Sequence, residues 1–341
     1  DYLRPPEESL AQMHPEIDSS IIVTNRPPVR LVFFAVNYTP EEKDMAQKVF
    51  NEILKDPDYT FPAWWTVGDT LRFLHEFEFN EVETIKRIKA HLRWLTSLDS
   101  FVITDKMMYA LDNGLIYQLG RDRQYRPIVI INLNKLIAVT ENKQTLIDST
   151  LYLLILVREV MCIPYHVERW DMLIDCSTVA FAHGLLEFLD DLADLIRTHF
   201  PRTIEWIFMF NSSITQELGN KFRPFPQGFD KRRQIFIKNK FDPTLKTYIS
   251  PDQLEHKFGG EIDDLQEDFW PPLATTFLRS GIRPESLLER KLFYFRMTHF
   301  DIFNNVVVQQ TSTDPYNPLR KRKELRYVER PNYKCSLFCD P

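Results

Sequence analysis

Apolar positions in the first hundred residues recur at the three- and four-residue spacing of amphipathic helices. Thr39-Pro40-Glu41-Glu42 is typical of a helix start, because proline is favoured at the first helical position and acids in the first turn. Trp64 and Trp65 stand just before the second block of this pattern. We predict a first helix with apolar positions at Met45, Val49, Ile53 and Leu54. We then predict a small helical module with an aromatic core, in which the apolar positions are Leu71, Phe73, Leu74 and Phe77, then Val82, Ile85, Ile88, Leu92 and Leu95.

Between residues 115 and 262 the pattern changes to short apolar runs that alternate with longer helical ones. Ile128 to Leu133 is a continuous apolar run after Arg126-Pro127, as expected of a strand buried on both faces. A helix from Thr145 to Met161 is apolar on nearly every side, which indicates deep burial. Strands alternating with helices predict an α/β fold with a largely parallel sheet. The remaining elements predicted here are strands at 172–174, 206–210 and 234–238 and an amphipathic helix at 185–196.

These patterns divide the chain into four regions. Residues 1–60 form a proline-rich N-terminal arm, with a strand-like run at 29–36, followed by a helix. Residues 61–112 form the helical module and residues 113–262 the α/β domain. Residues 263–341 form a C-terminal extension whose many aromatic side chains are costly to leave in water. We therefore expect the extension to pack on its own domain or on another chain.

Composition removes several classes of function. The 42 basic and 48 acidic residues give a net charge of −6, which argues against a general nucleic-acid-binding protein. The 341 residues include 9 glycines and no phosphate-binding glycine motif, so the common nucleotide enzymes are disfavoured. The longest apolar run, Leu151 to Val157, is too short to cross a bilayer. Four cysteines are too few for a disulfide framework.

A search for catalytic and metal-binding constellations finds none that predicts an enzyme. The sequence has no H-E-x-x-H, no G-x-S-x-G and no close Cys/His pairing. Asp171 and Asp175 fall on one face of a predicted strand, which is compatible with a paired-carboxylate site, but we favour a turn-capping role for Asp175. Cys335 and Cys339 form one C-x3-C pair without a nearby histidine, and we interpret them as ordinary thiols. We expect no enzyme, no metal and no cofactor other than a bound lipid.

Six segments, in the right order, resemble motifs of the CRAL-TRIO lipid-binding family. Asp69 to Trp94 also resembles the helical module that precedes that fold. The six segments are Gly120-Arg121-Asp122-Arg123-Gln124-Tyr125-Arg126-Pro127 with the apolar run after it, Met172 to Ser177, His199-Phe200-Pro201, Ile207 to Asn211, Lys221 to Phe225, and Ile249 to Gly260 with its terminal Gly259-Gly260.

The resemblance implies a mostly parallel sheet that floors an apolar cavity under a helical lid. Such a cavity holds one lipid through the burial of apolar surface and needs no catalytic residue. Strand alternation decides which residues point inward, so we expect about half of the candidates to line the cavity. The candidate wall residues are Ile174, Cys176, Phe208, Phe210, Phe222 and Phe236.

The sequence departs from the family at the lipid headgroup. In the phosphatidylinositol-transferring members, a glutamate of Y-P-E-R and a lysine before the I-F-I strand hold the headgroup. The matching positions here are Arg202 and Gln234, so we predict no selective phosphatidylinositol binding. The basic R-A-R-K stretch of the module is His75-Glu76-Phe77-Glu78. Lys231-Arg232-Arg233 stands where tocopherol-transfer-type relatives bind phosphoinositide phosphates, and with Arg202 it is a candidate anionic headgroup site or, alternatively, a solvated charge run.

Two functions fit these observations. We favour a non-enzymatic accessory or interaction subunit of a membrane-associated assembly. Two locations fit this function: the mitochondrion, in association with the inner membrane, or the cytoplasm, at the periphery of a membrane. The alternative is a soluble lipid transfer or lipid-sensing protein that carries one hydrophobic ligand. The expected partners are a lipid, a membrane surface that the protein contacts peripherally, and other protein subunits bound through the two extensions. We expect no nucleic-acid partner. The basic Arg320-Lys321-Arg322-Lys323 run would face acidic protein or lipid headgroups.

Overall fold

The computed structural model describes residues 38–62, 65–98, 104–133, 135, 143–162, 166–177, 183–211 and 233–272, together with residues 5, 9, 21–22 and 29–30. Strands β1 (Ile21–Ile22) and β2 (Val29–Arg30) pair with each other in an antiparallel ladder. The rest of the strand-like run predicted at 29–36 lies outside the described residues, as do residues 273–341 of the C-terminal extension.

Among the described residues, four helices precede the sheet: α1 (Pro40–Leu54), α2 (Val67–Glu76), α3 (Glu81–Ser97) and α4 (Asp105–Asp112). Thr39 and Glu42 form a reciprocal capping box at the start of α1, as the sequence pattern predicted. The first three helices bury their apolar faces in a shared cluster with Trp65, which stacks against Phe73 at a centroid distance of 6.0 Å. The predicted helical module with an aromatic core is confirmed, but Leu54 and Val82, predicted among the apolar positions of these helices, are 47% and 78% exposed.

A five-stranded sheet forms the centre of the α/β domain. Strands β4 (Pro127–Asn132), β5 (Trp170–Asp175), β6 (Ile204–Phe210) and β7 (Gln234–Ile237) are parallel neighbours in that order. Strand β3 (Ile116–Arg121) pairs antiparallel with β4. The predicted mostly parallel sheet is therefore confirmed, and the antiparallel β3 is an addition that the sequence pattern did not indicate.

Two separate apolar clusters cover the two faces of this sheet. On the face that we call the helix face, the strands pack against α5 (Lys143–Leu156), with a π-helical turn at Val157–Met161, and α6 (His183–His199). The opposite face packs against α7 (Thr244–Tyr248) and two 3-10 turns, Pro251–Gln253 and His256–Phe258. The first residues of the C-terminal extension also pack on the domain, because Trp270 lies against Tyr152 and Phe269 against Tyr117.

The glycines of the family-like motifs occupy positions that exclude a side chain. Gly259 has a φ of +86°, and a Cβ there would lie 2.3 Å from the carbonyl oxygen of Lys240. Gly120 has a φ of +72°, and a Cβ there would lie 2.1 Å from the carbonyl oxygen of Gln253. The close approach of Gly120 and Gln253 places the segment after β7 against the β3–β4 hairpin.

Candidate functional site

A row of side chains crosses three strands on the helix face. Ile174 of β5 pairs with Met209 of β6, and Met209 pairs with Phe236 of β7, so the three side chains share one face. Ile174 and Met209 are fully buried, whereas Phe236, on the last strand, is 45% exposed. Cys176 follows Ile174 on the same face and is also buried in the helix-face cluster.

The other two strand residues predicted as cavity walls face the opposite way. Phe208 and Phe210 are buried in the cluster under α7, where Phe208 lies 5.4 Å from Tyr248 and Phe210 lies 5.0 Å from Phe258, between ring centroids. Alternation thus divides the predicted wall between the two faces of the sheet. Phe222, the wall residue of the predicted lid, lies outside the described residues.

The end of β5 carries a neutral thiol and a capped turn. Burial, and then the nearby Asp175 carboxylate, raise the pKa of the Cys176 thiol to about 12. Asp175 accepts a hydrogen bond from the backbone N–H of Ser177 at 3.0 Å, which is the turn-capping role that we favoured. Asp171 instead lies at the start of β5, where it accepts from the backbone N–H of Trp206 at 3.1 Å. The two aspartates are therefore engaged at opposite ends of the strand.

A buried group of charges, which we call the amino-edge cluster, lies where β4 to β7 begin. At its centre, Glu205 lies 2.7 Å from Arg169, 3.5 Å from Arg126 and 3.9 Å from Arg233. Burial alone raises the pKa of the Glu205 carboxyl, but these three arginines outweigh it and lower the pKa to about 2. Glu205 is therefore ionised at neutral pH. The remaining members of the cluster are Asp122 and Asp171.

Arg233 was predicted as part of an anionic headgroup site. In the structure its side chain is buried, and Nη1 donates to the carbonyl oxygen of Ile204 at 2.6 Å. It belongs to the amino-edge cluster. Lys231 and Arg232 lie outside the described residues, so the three-cation site stays a prediction.

Arg202, the second predicted headgroup residue, joins the domain to the helical module. It has a φ of +57°, its Nε lies 3.4 Å from the carboxylate of Glu76, and its Nη2 donates to the carbonyl oxygen of His75. Glu76 also lies 3.3 Å from Arg197. Burial raises the pKa of Glu76 even beside these two cations. A headgroup role for Arg202 stays a prediction, and the structure gives this residue an interface role that sequence reasoning missed.

A second buried ion pair crosses the same interface. Nη2 of Arg72 lies 2.6 Å from the carboxylate of Glu168, and both side chains are buried. Arg72 stands within the segment that resembles the family's helical module, so the motif itself could have drawn attention to it. Nothing in the local sequence around Glu168 indicates its partner, which lies 96 residues away along the chain.

Two classes of site are absent from the part of the chain that the structure describes. No group of three or more His, Cys, Asp or Glu side chains there is arranged to hold a metal ion. No helix among the described residues combines the length and the apolar character that crossing a membrane requires.

Comparison with known proteins finds a match for part of the chain and a similar solved structure. Residues 111–260 match the family model described as the CRAL/TRIO domain. The whole arrangement is similar to the crystal structure of Sfh5, with a TM-score of 0.50 and 9% sequence identity, over 76% of this chain and 99% of that chain. At this identity the likeness concerns the fold alone.

Proposed function

We propose that the CRAL/TRIO domain at residues 111–260 of this chain holds one hydrophobic ligand against the helix face of its sheet. CRAL/TRIO is a lipid-binding family, and the family model covers all five strands of the sheet. The ligand is held by the removal of its apolar surface from water, at about 25 cal/mol per Å². The proposal contains no catalytic step.

The observation that carries this proposal is the row Ile174, Met209 and Phe236. Its first two members are buried under the helices, and its third is an aromatic side chain left 45% exposed on the last strand. The chain segment between β6 and β7 contains Lys221 to Phe225, which resembles the family's lid. In this proposal the ligand lies over Phe236, between the helix face and the lid. Phe208 and Phe210 then support the sheet from behind.

We further propose that the ligand is not selected by a phosphatidylinositol headgroup. The position that supplies an acceptor glutamate in the transferring members is Arg202, which is engaged by Glu76 and by the His75 carbonyl. An inositol hydroxyl therefore loses a charged acceptor, at a cost of about ten- to a hundredfold in affinity. Vesicle-to-vesicle transfer of phosphatidylinositol and phosphatidylcholine tests this. Comparable rates for the two lipids support the proposal, and fast, selective phosphatidylinositol transfer unaffected by Arg202→Met contradicts it.

For the present role of the chain, we propose an accessory subunit of a membrane-associated assembly, in mitochondria or at a cytoplasmic membrane surface. The feature that favours this over a soluble carrier is the use of Arg202 as an interface residue, which removes a contact that a carrier would use. The C-terminal extension beyond Pro272 would supply the contact with other subunits.

Deletion of residues 273–341 tests the subunit role. Full-length and shortened chains should differ in co-purifying proteins, and in mass by light scattering after size exclusion, while both keep the circular dichroism of the folded domain. If the full-length chain is a monomer without partners, the soluble transfer or sensing function is the better account. Fractionation of cells distinguishes the two proposed locations.

A further inference from the structure

A rigid turn follows β7 at the edge of the sheet, and we call residues 238–246 the basic loop. Asn239 accepts the backbone N–H of Phe241 with its side-chain oxygen at 2.9 Å and that of Asp242 with its carbonyl at 3.0 Å. The Asp242 carboxylate accepts the N–H of Thr244 at 3.0 Å. These bonds fix the backbone, so the turn determines where Phe241 projects.

The basic loop is also supported from behind. Gly259 approaches the carbonyl of Lys240 so closely that no side chain fits between them. On the inner side of α7, Leu245 is buried in the cluster that covers the opposite face of the sheet, and Ile249 just after the helix is buried with it. The loop is therefore a fixed projection of the domain.

The outer side of the loop combines an exposed aromatic ring with cations. Phe241 is 81% exposed, and Lys238, Lys240 and Lys246 are exposed around it. Single exposed apolar residues are common on protein surfaces. Here the exposed ring of Phe241 lies among lysines, and Nζ of Lys240 is 5.4 Å from the centroid of that ring. Within the described residues, neither Lys240 nor Lys246 forms a salt bridge.

One further cation extends this surface, and three acids limit it, of which Asp242 lies within the loop and interacts with Lys238. The exposed guanidinium of Arg123 donates to the carbonyl oxygen of Lys246 from Nε at 3.2 Å and from Nη2 at 3.1 Å. Glu261 and Asp263, after the next turn, are exposed and negative. They offset part of the attraction to an anion, so binding should be moderate and sensitive to salt.

We propose that the basic loop is a contact for an anionic lipid bilayer, with Phe241 inserted at the headgroup boundary and the cations against phosphate groups. An aromatic side chain partitions into this boundary, and lysines are attracted by the negative surface potential. A protein partner would need an apolar area of several hundred Å² on this side, which one projecting ring does not supply. The contact does not depend on a ligand in the domain.

Co-sedimentation of the full-length chain with vesicles tests this contact. The vesicles contain phosphatidylcholine alone or phosphatidylcholine mixed with phosphatidylserine. We expect the chain to bind the mixed vesicles preferentially, Phe241→Ser to bind about tenfold more weakly and Lys240→Ala/Lys246→Ala roughly twentyfold more weakly. Val82→Ser is the control, because Val82 is 78% exposed on the helical module.

Each outcome decides for or against the contact. Equal sedimentation of wild type and Phe241→Ser overturns the proposal, as does equal binding to both vesicle compositions. Retention on immobilised polyglutamate without retention on vesicles overturns it in favour of an acidic protein partner. Ligand content after extraction of Phe241→Ser should equal that of wild type, so failure of the membrane contact and failure of the proposed ligand binding are separate results.

Discussion

The carboxylate of Glu76, at the end of α2, lies 3.4 Å from Nε of Arg202, in the turn that precedes β6. Each residue stands where the sequence departs in charge from the CRAL-TRIO pattern: an acid within the basic stretch of the helical module, and a base at the headgroup glutamate. The two departures meet at the interface between module and domain. Arg202 therefore has a structural role at this interface.

This relationship predicts energetic coupling between the two residues. Arg202→Met leaves a buried carboxylate with Arg197 at 3.3 Å and with Arg233, which also acts on it electrostatically. We expect the free energy of unfolding to fall by roughly 2–4 kcal/mol. In a double-mutant cycle with Glu76→Met, the double variant should lose less than the sum of the single variants, by about 1–3 kcal/mol. Urea unfolding measures all four free energies.

Additive losses, within about 0.5 kcal/mol, would show that the pair is not coupled. Lys55→Met is the matched control for cutting an ion pair, since Lys55 contacts Glu52 on the exposed side of α1. That substitution should leave the unfolding midpoint unchanged.

A pair of histidines at the same interface predicts acid sensitivity. Nδ1 of His91 lies 3.3 Å from Nδ1 of His199, and Trp94 stacks on His199 at 4.3 Å between centroids. Burial lowers the pKa of His91 well below its ordinary value and that of His199 to about 3. The charge of His199, and after it the charge of Arg158, also lower the pKa of His91. For His199, the charges of Arg158 and Arg87 lower the pKa further, whereas the charge of Asp194 raises it.

The direction of the pH effect follows from these shifts. The unfolded chain protonates both histidines near about pH 6.5 and the folded chain does not, so stability is complete above that pH and falls below it. We expect a loss of about 1.4 kcal/mol per pH unit for each histidine that stays neutral. Unfolding midpoints between about pH 7.5 and about pH 5 cover the protonation of the unfolded histidines. Since burial also raises the pKa of the Glu76 and Asp171 carboxyls, a histidine variant is needed to isolate the contribution of the histidines.

His199→Phe should reduce the pH dependence by about half, since one titrating group is removed. His256→Gln is the control, because the His256 side chain is 56% exposed, and it should keep the wild-type slope. A slope that is the same in His199→Phe as in wild type would contradict the assignment.

Cys176 offers a chemical test of the helix face. Since burial raises the pKa of its thiol to about 12, very little thiolate forms near neutral pH. In a variant whose other three cysteines are serine, alkylation at about pH 8 should be about a thousandfold slower in the native protein than in urea. Native and unfolded rates within tenfold of each other would mean that this face is open to water.

The sequence predicted the helical module because its apolar positions follow one period over many residues, and the parallel strands because they are short apolar runs that alternate with helices. It did not predict β3, because Ile116 to Arg121 is buried throughout and lacks the alternation of a half-exposed strand. The family resemblance located Arg202 but not its partner. Glu76 lies 126 positions earlier, and a contact at that separation depends on how the module packs on the domain.

The faces of the predicted wall show a similar limit. Alternation implied that Ile174 and Cys176 share one face and that Phe208 and Phe210 share one. Whether the two pairs share a face depends on the register between β5 and β6, which the sequence pattern does not give. In the structure Ile174 pairs with Met209, so both phenylalanines lie on the opposite face.

The central claim is that the domain holds a hydrophobic ligand over Phe236, and mass spectrometry of an organic extract tests it most directly. The chain is purified without detergent as wild type, as Phe236→Asp, and as Val82→Asp, which places the same charge at an exposed site on the helical module. We predict about one hydrophobic molecule per wild-type and Val82→Asp chain, and a loss of most of it from Phe236→Asp. No ligand in the wild type, or equal amounts in all three proteins, would contradict the account.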